Sequence, residues 1–385
     1  MKSMPGTLRV TVVCAVLGAL GLAGCSTSTN SAVTVTGGTL NVYISEPPGT
    51  AGGQAAADVV DAERLALPTA GVKVGTFTVK PVLAHGKEIS ANARSAIQDS
   101  SAIAYLGEIE PGTSQVSLEI NNELGLLEVS PTDTAVYLTK ATPAVSGAPG
   151  AYYPSNSTYH QTFARVVPTT AQEAQAIVAE MQSLHLSKVY VASDGQPYGD
   201  SIAAEVRQDA PGHGLTVAGS ASSADAVFYG GNSAAAATTA LDQAATASPS
   251  AKLFVPSALY DDSFAAGLSA AAQKNLYVSS PGFDSSSLPA AGRQFETSFR
   301  SAYGHDPVPE AIFGYGAMTA LLTVLKQAGK SAGNRATIVN DFRSLKDPPG
   351  SVLGTYSMDA GDTTLTGPFV FARAQSGRLV PLPPG

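Results

Sequence analysis

Two cysteines, no tryptophan and five histidines are all the special side-chain chemistry that this chain of 385 residues offers. Both cysteines, Cys14 and Cys25, stand near the N-terminus, so the remaining chain can form neither a disulfide nor a cysteine-based metal site. The histidines (His85, His160, His185, His213 and His305) show no metal-ligand spacing. There is no G-x-S-x-G elbow and no Gly-Lys-Ser/Thr phosphate loop. The chain is therefore not expected to be an enzyme or to carry a cofactor, although partners of a triad need not be sequence neighbours. Charged residues make up only 14%, against about 25% in ordinary domains. Lys and Arg total 22 against 30 acids and form no basic run, which argues against nucleic acid and against a polybasic membrane patch. The apolar run Val10–Ala23 is 14 residues long, short of the roughly 20 that a membrane span needs.

That run is nevertheless informative. Lys2 and Arg9 precede it and Leu22-Ala23-Gly24-Cys25 closes it. A charged n-region followed by a short apolar stretch describes a secretory signal, and a cysteine after a leucine and a small pair looks like a bacterial lipobox. The expectation is cleavage before Cys25 and lipid on its thiol. A signal in which Cys25 is incidental is the alternative. Residues 25–38 then form a flexible tether, with Ser26-Thr27-Ser28-Thr29-Asn30-Ser31 as its polar start. Lipid and tether place the protein on the outer face of a membrane. Without Lys2 and Arg9, 20 bases face 30 acids, a net charge of −10. A chain of this length without disulfides must be stabilised by a large core.

Beyond the tether, short apolar runs alternate with helical patterns. Strands are expected at 39–44, 72–79, 102–106, 126–129, 162–167, 188–192, 215–218, 226–229 and 252–255. Helices are expected at 54–67, 91–99, 114–124, 171–184, 201–209, 234–245 and 264–272. From Leu288 to Leu345 the pattern is mainly helical, and strand-like segments return near Val352 and Phe369. Alternating strands and helices mean an α/β fold with mainly parallel sheets, and the Pro/Gly-rich stretch Pro143–Pro154 suggests two lobes. Ligands in such folds sit at the carboxyl ends of strands. Two segments lie there: Gly107-Glu108-Ile109-Glu110-Pro111-Gly112-Thr113-Ser114 and Ser130-Pro131-Thr132-Asp133-Thr134. Their N–H groups and hydroxyls could hold an anion, or each could be a plain helix cap or turn.

The chain from about Leu40 to Val380 resembles the type I periplasmic binding proteins, in particular the leucine/isoleucine/valine-binding-like substrate-binding lipoproteins of ABC importers. Several segments carry the likeness. Ile103–Gly107 through Leu124-Gly125-Leu126 resembles a strand, Ser/Thr loop, helix and "E-x-G-I" turn. Val129–Thr134 with Leu138-Thr139 is similar to "V-S-P-x-x-T … L-T". Phe163–Thr169 with Gln172 looks like the first strand of the second lobe, Asp194–Gly199 like the "D-x-x-x-Y-G" loop, and Ala226–Gly231 and Phe313–Met318 also fit. The resemblance implies a two-lobed α/β fold, each lobe a mainly parallel sheet flanked by helices, joined by three crossover hinge segments. Residues 39–160 with 284–346 would form one lobe, and 161–283 with 347–385 the other. It implies a small polar solute (an amino acid or a related compound) held in the cleft, ABC permease and ATPase subunits as partners, and a monomer. Thr113 or Ser114 and the stretch Thr132, Asp133, Thr134 would hold a ligand carboxylate, and Tyr198 would close over it. Asn232 and Ser257 are the remaining expected contacts.

Three departures stand against the pattern. Where amino-acid binders carry an acid in a "G-P-E-G"-like turn, this chain has Val255-Pro256-Ser257-Ala258, so Asp133, Asp261 or Asp262 must substitute or the ligand is not a standard α-amino acid. Only Gly219–Asp225 separate the strands expected at 215–218 and 226–229, too few for the crossover helix that parallel neighbours need. One of those strands is therefore expected to be displaced, re-paired or lost. The stretch Pro81–Ser90 also looks shortened.

Overall fold

The computed structural model describes residues 33–49, 52–153, 160–366 and 368–382. The expected signal, Cys25 and the start of the tether lie outside them. The chain opens with β1 (Thr39–Ser45), α1 (Gly53–Ala66), the hairpin β2 (Val72–Val74) and β3 (Phe77–Ala84), then α2 (Ile89–Gln98), β4 (Ala102–Leu106), α3 (Ser114–Glu123), β5 (Leu127–Ser130) and β6 (Phe163–Arg165). These strands form one sheet in the order β2-β3-β1-β4-β5-β6. Every residue of β4 is buried, as an apolar run covered on both faces requires. The single strand expected over 72–79 is instead an antiparallel hairpin turning at Gly75. Its second arm runs on to Ala84 and absorbs part of the stretch that looked shortened. The strand expected to open the second lobe is a further correction: β6 pairs with β5 and closes the first sheet.

The second lobe follows with α4 (Thr170–Ser183), β7 (Lys188–Ser193), α5 (Pro197–Asp209), β8 (Thr216–Val217), β9 (Ala226–Gly230), α6 (Ala234–Ala247), β10 (Lys252–Val255), α7 (Asp262–Gly267), α8 (Ala270–Asn275) and β11 (Leu276–Pro281). The chain then returns with α9 (Ala290–Tyr303), α10 (Ala311–Ala328) and α11 (Arg335–Arg343), whose buried side chains join the core of the first sheet. Val352, Leu353, Tyr356 and the two-residue strands β12 (Met358–Asp359) and β13 (Asp362–Thr363) stay on that side. A last crossing leads to β14 (Phe369–Gln375) and β15 (Arg378–Pro381), antiparallel strands on the edge of the second sheet. That sheet has the order β15-β14-β11-β10-β9-β7-β8. The result is the expected two-lobed α/β architecture, two mainly parallel sheets flanked by helices, with three passages between lobes. No helix among the described residues is long and apolar enough to cross a membrane.

Local chemistry accounts for the main elements. Helix α4 begins with a capping box in which Thr169 and Gln172 satisfy each other's backbone groups. The helix expected over 264–272 is broken in two because Ser269 caps a fresh start, accepting from the Ala272 N–H. Helix α10 lies against α1 at a glycine: a Cβ on Gly314 would stand 2.4 Å from the Val59 carbonyl oxygen.

The short connection between β8 and β9 has a simple geometry. The two strands are not neighbours, because β7 lies between them. Val217 and Ala226 both pair at the level of Val189, on its two sides. The chain therefore never climbs back along the sheet and need only cross one strand, roughly 10 Å laterally. A single 3₁₀ turn at Ala221–Ser223 suffices. The Asp225 carboxylate fastens the crossing, accepting from the N–H groups of Ser187 (2.9 Å) and Lys188 (2.8 Å). Neither strand is lost; β8 is cut to two residues. Beside this crossing lies a groove of about 360 Å³ lined by Tyr190, Ala192, Ala221, Val227, Tyr229 and Leu241.

Candidate functional site

The carboxyl ends of β4 and β5 face the second lobe across the loops singled out in the sequence. Most of their hydroxyls are engaged locally. Thr113 Oγ1 donates to the Glu110 carbonyl (2.6 Å), Ser130 Oγ to the Glu108 carbonyl (2.6 Å) and Thr132 Oγ1 to the Ile109 carbonyl (2.5 Å). Ser114 Oγ accepts from the Glu108 N–H at 3.1 Å. The Glu108 carboxyl is itself inside the lobe, bonded by Tyr105 and Ser45, and burial lifts it to about 7.

Asp133 is fully buried and sits at the centre of this edge. Its Oδ1 accepts from the N–H groups of Gly112 (2.7 Å) and Ala135 (3.0 Å), and its Oδ2 from Ser114 N–H at the start of α3 (2.9 Å). The N–H groups expected to hold an anion thus hold a carboxylate of the chain itself. Beneath the loop lies Arg165, also fully buried. It pairs with Asp362 (3.0 Å) and donates to the carbonyls of Asp133 and Ala135 (3.0 and 2.7 Å).

The second lobe meets this edge directly. Tyr198, in the first turn of α5, inserts into a cluster with Leu118, Ala135, Tyr137 and Leu138. Close approach depends on a glycine: a Cβ on Gly112, where φ is +84°, would lie 2.9 Å from Tyr198 Cβ. Asn232, in the loop that follows β9, reaches across to donate to the Pro111 carbonyl at 3.4 Å. The lobes are closed on one another at these residues.

Where the two edges meet stands a residue that the sequence analysis did not single out. Glu173 in α4 is fully buried. Its Oε1 accepts from Ser257 N–H (2.6 Å) and Ser279 Oγ (2.6 Å), and its Oε2 from Thr134 Oγ1 at 3.4 Å. The strand end at Ser257, where the acid of amino-acid binders is missing, is thus met by an acid from another element. Asp261 and Asp262 do not take that place. Asp261 caps α7, accepting from Ser263 N–H and Phe264 N–H, and Asp262 accepts from Leu379 N–H. Beside Glu173, the hydroxyls of Tyr198 and Ser257 are buried without a hydrogen-bond partner. Burial raises the Glu173 carboxyl, and the bonds it accepts from the Ser279 hydroxyl, the Ser257 N–H and the Thr134 hydroxyl partly offset this. Tyr198 is pushed well above its ordinary value by burial and by the Glu173 charge. Glu310, at the start of α10, is lifted to about 8 by burial, then by Glu173 and Asp58.

Of the residues expected at a site, Thr134, Tyr198 and Ser257 converge with Glu173. Thr113, Ser114, Thr132 and Asp133 organise the first-lobe loops, and Asn232 bridges the lobes. A signal for Glu173 was present: Thr170, Glu173, Ala174, Ile177, Val178 and Met181 form the buried stripe of α4. An acid at the second place of such a stripe is a buried acid in need of donors. Among the described residues no cluster of His, Cys, Asp and Glu could hold a metal ion.

Comparison with known proteins agrees with this architecture. A family model described as periplasmic binding protein matches residues 218–378. The leucine binding protein LivK from Thermotoga maritima superposes with a TM-score of 0.71 at 17% identity, covering 89% of this chain and 97% of its own. The branched-chain amino acid transporter substrate binding protein LivJ from Streptococcus pneumoniae, in complex with isoleucine, gives 0.67 at 18% identity, covering 89% and 100%. A solute binding protein of an ABC transporter from R. palustris, in complex with benzoate, gives 0.66 at 18% identity, covering 90% and 96%. No curated protein matches by sequence. The chain has the fold of a type I periplasmic binding protein, as its sequence resemblance implied.

Proposed function

We propose that this protein is a lipid-anchored extracytoplasmic solute-binding protein, held to the membrane through Cys25, that captures a small polar solute between its lobes and presents it to an ABC importer. The observation that supports this most is the junction of the two lobes. Thr134 from one and Tyr198, Ser257 and Glu173 from the other meet there, with two buried hydroxyls left unpaired. Buried polar atoms without partners are costly, and a polar solute entering on hinge opening would supply the missing partners. Structural relatives bound to isoleucine and benzoate support the same role. A second reading is a binding module without transport, a sensor or a degenerate paralogue. It is favoured by the internally filled cradle at Asp133 and by the reduced crossover at β8.

The test is a thermal-shift screen of the full-length protein in detergent over amino acids, amines, amides, ureas and short peptides. Ligand binding to the native state raises the melting temperature by an amount that grows with the logarithm of concentration over Kd. A folded protein that shifts with nothing in the screen refutes solute capture. Labelling of Cys25 by a clickable fatty acid tests the anchor, and its absence in the producing bacterium refutes lipidation.

A further inference from the structure

The two halves of the cleft differ in what they leave open. On the first lobe, three N–H groups from two loops converge on one carboxylate, that of Asp133, at 2.7–3.0 Å. Both its oxygens are occupied and its side chain has no exposed surface. Arg165 holds the Asp133 and Ala135 carbonyls from below, which fixes the loop that presents the Ala135 N–H. This cradle has the composition of an anion site, but the anion is covalently part of the protein. A ligand carboxylate would have to expel Asp133 from bonds it makes intramolecularly, at high effective concentration. If Asp133 stayed, two buried carboxylates would share one set of donors, and one of them would have to take up a proton.

On the second lobe the balance is reversed. Glu173 Oε1 is saturated by the Ser257 N–H and the Ser279 hydroxyl, while Oε2 has only the long contact with Thr134. Among the described residues no Lys or Arg bonds to Glu173; the one buried cation near the cleft, Arg165, is committed to Asp362, Thr139 and backbone carbonyls. Two polar groups more than nine-tenths buried stand beside it without partners, the hydroxyls of Tyr198 (2% exposed) and Ser257 (5% exposed). A buried carboxylate with one oxygen held only by a single 3.4 Å contact, and hydroxyls free to accept, match an alkylammonium group, which brings three donors and no acceptor.

We infer that the ligand is a primary amine that bears no carboxylate, its ammonium on Glu173 between Thr134, Tyr198 and Ser257, with Asp133 standing where a ligand's carboxylate would otherwise go. The inference rests on the solute-binding role proposed above and narrows it to one chemical class.

The test is calorimetric titration of the full-length protein in detergent with matched triplets. Each triplet holds an amino acid, the amine that lacks its carboxylate and the acid that lacks its amine. Leucine, 3-methylbutylamine and 4-methylpentanoate form one; phenylalanine, 2-phenylethylamine and 3-phenylpropanoate form another. The expected result is that at least one amine binds ten or more times tighter than the amino acid and acid of its triplet. This ranking needs no variant. Glu173→Gln should then weaken that amine at least tenfold. Asp133→Ala should narrow the gap by at least tenfold in favour of the amino acid, and Asp133→Gly serves if the alanine variant does not fold. Amino acids or acids binding as tightly as the amines would overturn the inference while leaving solute capture standing. So would a neutral solute as the sole hit of the wider screen. No binding by any class would overturn both.

Discussion

The two edges of the cleft were built by the same rule, loops at the carboxyl ends of parallel strands, and reached opposite electrostatic states. The first-lobe edge is internally complete. The hydroxyls of Thr113, Ser130 and Thr132 are engaged on carbonyls and Asp133 fills the N–H cradle. The second-lobe edge is incomplete, with Tyr198 and Ser257 unpaired beside a buried acid. Pairing within one lobe makes a rigid platform; groups left short of partners are the ones that a solute, under the proposed function, would complete. The difference teaches that strand-end loops rich in Ser and Thr are not by themselves a binding site. What matters is which hydroxyls their own backbone leaves free.

The contrast can be broken from either side. The largest effect is expected at Arg165, which supports the complete edge. Arg165→Ala leaves two buried carbonyls without their donor and Asp362 with only the exposed Lys140, at 3.2 Å, as its cation, and breaking a buried pair in this way costs about 3 kcal/mol. A urea titration checks this, and a loss below about 1 kcal/mol, the worth of an exposed pair, would remove Arg165 from its supporting role. Asp133→Ala strips a carboxylate from three N–H groups. It should cost about 2–3 kcal/mol, the scale of buried donors left short of an acceptor. Unchanged stability would mean that the cradle is not held by Asp133.

The pH profile probes the buried acids that flank both edges. Glu310 is raised from 4.5 to about 8 and Glu108 from 4.5 to about 7, by burial in each case. Between the unfolded and folded values the native state keeps a proton that the unfolded chain has lost, so stability falls as pH rises through that window. The melting temperature should be higher at pH 5 than at pH 8, and Glu310→Gln should flatten the upper part of the fall. A profile that rises over this range would contradict the burial of these groups. The smallest effect sharpens the comparison most. The Tyr198 hydroxyl has no partner, so Tyr198→Phe should change stability by no more than about 1 kcal/mol, on the stabilising side. A clear loss would show that the hydroxyl is bonded after all and that the second edge is as complete as the first.

Much of the architecture was legible in the residues. The spans Ala102–Leu106 and Lys252–Val255 are strands with the bounds their apolar runs suggested, and α3, α4 and α6 lie within two residues of the periodic patterns. The misassignments have local causes. Gly75 turns one apparent strand into a hairpin, and Ser269 restarts a helix. The placement of β6 was misjudged because a three-residue strand at a lobe boundary carries the same apolar pattern whichever sheet it joins. The brevity of the β8–β9 link was visible, but its harmlessness was not, since strand order and register are set by pairing partners far apart in the chain.

At the site the division is sharper. Alternation of apolar runs and amphipathic helices determined the α/β class, because burying period-two and period-3.6 faces together leaves few architectures. The sequence also placed Thr134, Tyr198 and Ser257 at loop positions that could face a cleft. It could not decide the direction of a side chain within a loop. Whether Asp133 faces a ligand or its own backbone depends on where Gly112, Ser114 and Ala135 bring their N–H groups. Whether Glu173 is a surface acid of a first helical turn or a buried acid at the junction of the lobes depends on Ser257 and Ser279, which lie 84 and 106 residues away. Hydrogen bonding is short-ranged and directional, so the choice between a filled and an open polar group was left to tertiary structure.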